Sequence, residues 1–62
     1  ASDVYKRQIC LLVKIGVTTK DIALLTSRTR QAISMAKQRL YKKITNEAKG
    51  KAEDLDEFVK NL

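Results

Sequence analysis

The sequence predicts an all-α fold in which four short helices, at about residues 3–15, 19–25, 30–44 and 52–61, pack as one small bundle. Apolar residues recur every three or four positions in four stretches, which is the spacing of a helix with one buried face. Residues that favour helix ends and turns separate these stretches. At 62 residues the chain is predicted to be a single domain, residues 1–62, and a domain of this size buries only about 60% of the surface that its unfolded chain exposes.

Helix 1 and helix 2 are predicted from apolar spacing and from residues that start or end helices. Gly16 follows helix 1, at the position where a left-handed residue closes many helices. The apolar face of helix 1 consists of Ile9, Leu12 and Val13. Thr18 lies three residues before Asp21, the spacing of a capping box, so we expect helix 2 to begin directly after Thr18. The apolar face of helix 2 consists of Ile22, Ala23 and Leu25.

Helix 3 is predicted to be the longest helix and to have a buried face and a cationic face. Thr29 is its expected N-cap, because the preceding polar residues 26–28 favour a turn. The expected buried face consists of Ile33, Ala36, Leu40 and Ile44. The expected exposed face consists of Arg30, Gln31, Ser34, Met35, Lys37, Gln38, Arg39, Lys42 and Lys43. A short helix, a turn and a longer basic helix are the layout of a helix-turn-helix, whose second helix enters the DNA major groove.

Helix 4 is predicted after a break in the apolar pattern. Residues 45–51, which include Gly50, are expected to be a linker. Beyond it, apolar residues occur at positions i, i+3, i+4 and i+7, namely Leu55, Phe58, Val59 and Leu62. Acidic residues occupy the first turns of this helix, where the helix dipole favours them. We expect Tyr41 of helix 3 to be half-buried against helix 4.

The charge is distributed unevenly along the chain. Residues 1–45 contain ten Lys and Arg against two Asp and Glu, a net charge of +8, whereas residues 46–62 contain three against five, a net charge of −2. The basic part predicts a surface that binds a polyanion, and the acidic end predicts a separate surface for packing or for a partner. The basic residues coincide with the expected exposed face of helix 3, which favours DNA.

The residue types argue against an enzyme, a metal protein and a membrane protein. The chain has no His and a single Cys, so the commonest general base and metal ligands are missing, and we expect no cofactor. Cys10 is expected to be a small core residue. We interpret Asp54, Asp56 and Glu57 as a solvated acidic face and not as a catalytic or metal cluster. No apolar run approaches the length of a membrane span and no signal-peptide pattern is present, so we expect a cytoplasmic protein.

Residues 16–23, with the sequence Gly-Val-Thr-Thr-Lys-Asp-Ile-Ala, resemble the G-(L/F)-S-x-K-E-I-A block of LuxR/GerE-type helix-turn-helix DNA-binding domains. The similarity continues without a gap to residues 39–44, whose sequence Arg-Leu-Tyr-Lys-Lys-Ile is similar to the end of that family's recognition helix. The motifs cover residues 9–44. The resemblance implies the C-terminal output domain of a bacterial transcription factor. Such a domain binds double-stranded DNA as a homodimer and follows an upstream sensor or regulatory domain.

Two segments depart from the family pattern. The turn of the family reads Leu-Gly-Ile, whereas this chain has Thr26, Ser27 and Arg28, so Arg28 must either extend its head to solvent or accompany a remodelled turn. The first eight residues, Ala-Ser-Asp-Val-Tyr-Lys-Arg-Gln, resemble the translation of a transposon end used to prepare sequencing libraries. We interpret residues 1–8 as non-native; the alternative is a native segment that caps helix 1 through Ser2 or Asp3.

The resemblance also implies which residues contact DNA. Base edges are expected to be contacted by Gln31, Ser34, Met35 and Gln38. Gln can pair with adenine through two hydrogen bonds, Ser can donate or accept one, and Met can pack on the methyl group of thymine. Phosphates are expected to be bound by Thr19, Lys20, Arg28, Thr29, Arg30, Lys37, Arg39 and Lys42. The alternative for the base-contact candidates is an exposed helix residue that does not contact DNA or, for Met35, a residue that covers the edge of the core. The alternative for the basic residues is a solvated face, which applies best to Lys42, Lys43, Lys49 and Lys51.

A second function, from a different class, also fits the pattern. The chain could be a protein-interaction module, similar to a sigma factor or an adaptor, that docks on a partner through helix 4. This hypothesis predicts that Leu55, Phe58 and Val59 stay partly exposed. It also predicts that DNA binding is weak and has no sequence preference.

Overall fold

A computed structural model of the chain describes residues 2–62, with side chains described from residue 6 onward. The described residues form four α-helices and no strand: α1 Ser2–Lys14, α2 Thr19–Leu25, α3 Arg30–Thr45 and α4 Ala52–Lys60. The all-α, four-helix prediction is confirmed, and every helix boundary lies within one residue of its predicted position. The cap expected from Ser2 or Asp3 lies outside the described side chains. None of the described helices combines the length and the apolar character that a membrane span requires.

Two threonines start α2 and α3, as the sequence predicts. The Thr18 hydroxyl oxygen accepts a hydrogen bond from the backbone N–H of Asp21 at 3.2 Å. The Thr29 hydroxyl oxygen accepts one from the N–H of Ala32 at 3.0 Å. Each bond satisfies one of the N–H groups that the first turn of a helix leaves without a partner. These short-range bonds explain why the starts of both helices are predictable from sequence.

The C-terminal ends of α1 and α2 have the same backbone geometry, the Schellman motif. Gly16 ends α1 with φ of +92°, and the N–H of the residue after it donates to the carbonyl of Leu12 at 2.9 Å. Ser27 ends α2 with φ of +57°, and the N–H of Arg28 donates to the carbonyl of Ala23 at 2.9 Å. Arg28 itself is exposed. A serine therefore occupies a left-handed position that glycine adopts at lower cost.

The core contains apolar residues from all four helices. Its buried members are Ile9, Val13, Ile22, Ala23, Ile33, Leu40, Leu55 and Val59. α3 contacts each of the other three helices and is the centre of the bundle. Tyr41 is half-buried, and its ring packs edge-on against Phe58 of α4 with the ring centroids 6.3 Å apart, which confirms the predicted packing.

Three residues that the sequence assigns to apolar faces are exposed. Leu25 is 68% exposed. The buried residues of α2 are Ile22 and Ala23, and the helical period returns to their face at the half-buried Thr26 and not at Leu25. Ile44 lies in the last turn of α3 and is 46% exposed. Leu62 lies beyond the end of α4 and is 78% exposed. The predictions of burial for these three residues are wrong, and α2 and the chain terminus contribute less to the core than expected.

Candidate nucleic-acid interface

The surface of α3 that faces away from the core carries the residues expected to contact bases. Gln31, Met35, Gln38 and Lys42 follow one another at intervals of four, three and four residues, so they form one stripe along the helix. From the first to the last residue the stripe is about 16 Å long, at about 1.5 Å per residue. Gln31, Met35 and Lys42 are exposed, whereas Gln38 and the neighbouring Ser34 are half-buried. The structure thus brings the four base-contact candidates together on one face.

Cationic side chains flank this stripe. Arg30 and Arg39 lie on either side of it on α3, and both are exposed. Lys20 in the first turn of α2 and Arg28 in the turn between the two helices are exposed as well. Arg and Lys at the borders of a hydrogen-bonding stripe suit the phosphates that border a DNA groove.

Thr29 and Thr19, both expected to bind phosphate, have different surroundings. The Thr29 hydroxyl oxygen caps α3, and the group is exposed, so its O–H proton can still be donated to an anion. Thr19 is half-buried, and its hydroxyl oxygen accepts a hydrogen bond from Nζ of Lys37 at 2.8 Å. Thr19 therefore takes part in a contact between helices.

Lys37 does not lie on the exposed face of α3. It is 1% exposed, and its Nζ also donates to Oδ1 of Asp56 on α4 at 2.7 Å. The predicted surface position of Lys37 is wrong. Asp56, interpreted from the sequence as part of a solvated acidic face, has a side chain that is only 31% exposed and forms an ion pair with Lys37. With its ammonium group held by these two partners, Lys37 presents no charge to a phosphate in this structure.

A signal for this burial is present in the sequence. Lys37 lies four residues after Ile33 and three before Leu40, so it belongs to the same helix face as these two core residues. A charged group on such a face requires a partner, because an unpaired charge is costly to bury. The spacing could therefore have revealed that Lys37 is internal. It could not have identified Asp56, which is 19 residues away in the chain.

The remaining chemistry of the described residues is limited. No group of three or more Cys, Asp or Glu side chains among them is arranged to hold a metal ion. Cys10 is half-buried and packs against the core, and burial raises the pKa of its thiol. Its position agrees with the expected role as a small core residue.

No family model, no curated protein and no solved structure matches this chain. A proposal of function for it rests on the arrangement of its own side chains and on the short motifs in residues 16–23 and 39–44.

Proposed function

We propose that this domain binds double-stranded DNA with a sequence preference, and that α3 is a recognition helix which enters the major groove. One observation carries the proposal: the side of α3 that faces away from the core presents the amide and thioether groups of the stripe, with the Ser34 hydroxyl beside them, and cationic side chains flank that stripe. A four-residue turn, residues 26–29, joins this helix to α2, as in helix-turn-helix domains. The major groove has the width to admit an α-helix.

The roles of the individual residues follow from their chemistry. Gln31 and Gln38 can each form two hydrogen bonds with adenine, and Met35, which is 42% exposed, can pack on a thymine methyl group. Ser34 adds a hydroxyl group that can donate or accept. The proposed phosphate contacts are Lys20, Arg28, Thr29, Arg30, Arg39 and Lys42. Lys37 and Thr19 are left out of this set because they bind each other.

The resemblance to LuxR/GerE-type domains supports a role in transcriptional regulation in the bacterial cytoplasm, with this domain as the output module that follows a sensor or regulatory domain. A single recognition helix contacts only a few base pairs. We therefore propose that two copies bind DNA together on paired half-sites.

The alternative, a protein-interaction module that docks through α4, is less well supported. It requires exposed apolar residues on α4, yet Leu55 is 0% exposed and Val59 is 2% exposed. Phe58 is half-buried against Tyr41. The apolar face of α4 is thus largely used to close the bundle.

The experiment that tests the proposal is a selection of bound duplexes from a random pool at several salt concentrations. We expect an enriched motif and an affinity that falls steeply with salt. Gln38→Ala should relax the motif at one position, whereas Lys42→Ala should weaken binding to all sequences and reduce the salt slope by about 1. Lys49→Ala, which removes an exposed charge in the linker, is the matched control for Lys42→Ala.

Two results would contradict the proposal. Binding that depends on salt but enriches no motif would show a polycation without sequence readout, and the search for a partner should then turn to α4. Absence of binding at low salt, by protein shown to be folded, would exclude DNA as the ligand.

A further inference from the structure

We infer that Lys37 is a positioning residue. Its buried ammonium group couples the docking of α4 to the placement of α2 against α3. This coupling determines how α3 is presented to DNA. This inference rests on the proposed function. It goes beyond it by assigning to α4, which carries none of the proposed base or phosphate contacts, an effect on DNA recognition.

The ammonium group of Lys37 joins three helices through its hydrogen bonds. Nζ of Lys37 on α3 donates to Oγ1 of Thr19 on α2 at 2.8 Å and to Oδ1 of Asp56 on α4 at 2.7 Å. An ammonium group has three donors and no acceptor, and its burial is costly unless it is hydrogen-bonded and its charge is paired. Thr19 and Asp56 accept from two of the three donors of Lys37, and Asp56 also supplies the opposite charge. Among the described side chains, no buried nitrogen or oxygen atom lacks a hydrogen-bond partner. The ammonium group therefore holds both partners at hydrogen-bonding distance.

The junction lies on the core-facing side of α3, next in the chain to residues of the proposed interface. Lys37 precedes Gln38 in the chain and follows Ser34 by one helical turn, so it shares their segment of backbone. Thr19 is the first residue of α2 and precedes Lys20, a proposed phosphate contact. The bond between Lys37 and Thr19 thus relates a base-contacting segment of α3 to a phosphate-contacting segment of α2.

The bond to Asp56 brings α4 into the same arrangement. Apolar contacts hold the helices together without fixing a direction, because the hydrophobic effect is non-directional. Hydrogen bonds, in contrast, weaken steeply when their distance and angle depart from a narrow range. A shift of α4 would move Asp56, and the ammonium group would transmit that shift to α2. Lys37 acts through its neighbours and touches no base or phosphate itself.

The first test replaces the pair with apolar residues, Lys37→Met together with Asp56→Leu. The double variant keeps the net charge, so the salt dependence of binding should not change. We expect its affinity for the selected motif to fall about tenfold or more, within the usual range of coupling between sites. The measurement is made at a temperature where circular dichroism shows every variant to be fully folded. Lys60→Met with Glu57→Leu, which replaces two exposed residues of opposite charge on α4 and so also keeps the net charge, is the control and should bind like the wild type.

A fully folded double variant that binds the motif with wild-type affinity would overturn the inference. A role in stability alone predicts that result, since loss of stability cannot affect binding when all of the protein is folded.

The second test needs no DNA. Asp56→Asn keeps a hydrogen-bond acceptor near Lys37 but removes the negative charge of residue 56. We expect the backbone amide signal of Thr19 to shift in nuclear magnetic resonance spectra, and the amide hydrogen of Ile22, which is bonded to the carbonyl of Thr18, to exchange faster. Glu57→Gln on the same helix should leave both unchanged. Unchanged α2 signals in Asp56→Asn would overturn the inference. Failure of the wild type to bind DNA would instead overturn the proposed function, and the α2 signals of Asp56→Asn would then decide whether the helices are coupled.

Discussion

The ion pair between Lys37 and Asp56 predicts that its two partners differ in their importance for stability. The Lys37 side chain is 1% exposed, whereas that of Asp56 is 31% exposed. Asp56→Ala leaves an ammonium group in the interior with the Thr19 hydroxyl as its remaining partner. Lys37→Met leaves a carboxylate that water can still reach. We therefore expect Asp56→Ala to be the more destabilising substitution.

The size of the difference can be worked out from the burial of each group. Removing one partner from a buried ion pair lowers the free energy of unfolding by about 3–5 kcal/mol, and we expect Asp56→Ala to lie in this range. Lys37→Met removes the hydrogen bond to the charged Asp56, and such a bond contributes about 1.5–3 kcal/mol to the free energy of unfolding. Water that hydrates the freed Asp56 carboxylate offsets part of this loss. We therefore expect Lys37→Met to lower the free energy of unfolding by about 1–2 kcal/mol. At 0.05–0.15 kcal/mol per residue, a domain of 62 residues is stable by about 3–9 kcal/mol. Asp56→Ala should thus remove at least about a third of its stability, and all of it if the domain lies at the low end of this range.

Urea unfolding followed by far-ultraviolet circular dichroism measures these losses. Glu57→Ala removes an exposed carboxylate from the same helix and is the control, with an expected change within about 0.5 kcal/mol. An equal loss for both partners would refute the argument from burial. A loss for Asp56→Ala no larger than that of the control would refute it as well, because the freed ammonium group would then have reached water.

Two further predictions concern backbone positions. Gly50→Ala should destabilise the domain by about 1–3 kcal/mol, because a Cβ atom there would lie 2.9 Å from Cε2 of Tyr41 and nearer still to Cδ2. The same substitution made together with Tyr41→Ala should cost much less in urea unfolding, and an equal cost in both backgrounds would contradict the proposed clash. Ser27→Gly should stabilise the domain by about 0.5–1 kcal/mol, since Ser27 has φ of +57°. Asn46→Gly, at φ of +58°, should gain less because asparagine tolerates this conformation, and a destabilised Ser27→Gly variant would show that the serine side chain has a role in the turn.

Helix boundaries were predictable because the interactions that set them are local. Thr18 and Thr29 bond to amides three residues further along the chain, and Gly16 adopts the left-handed conformation that its lack of a side chain permits. The grouping of Gln31, Met35, Gln38 and Lys42 on one side of α3 is also a local property, since it follows from the helical period. For this reason the expected positions of Gln31 and Met35 agree with the structure.

The departures from expectation arise where the direction of the core decides the outcome. Leu25 and Lys37 both lie on helices that were predicted correctly, yet the leucine is exposed and the lysine is buried. Periodicity gives the spacing of a helix face, but the side of the helix that is covered depends on where the neighbouring helices pack. Polarity is then a poor guide, because a charged residue can be buried when another helix supplies its partner.

The sequence by itself determined the number of helices, their limits, the caps and the uneven charge, because each depends on residues within a few positions of one another. Only the tertiary structure decided that Lys37 is internal and that it joins Thr19 to Asp56. Those partners are 18 and 19 residues away in the chain, in opposite directions, and only the packing of α2 and α4 on α3 brings them to one ammonium group.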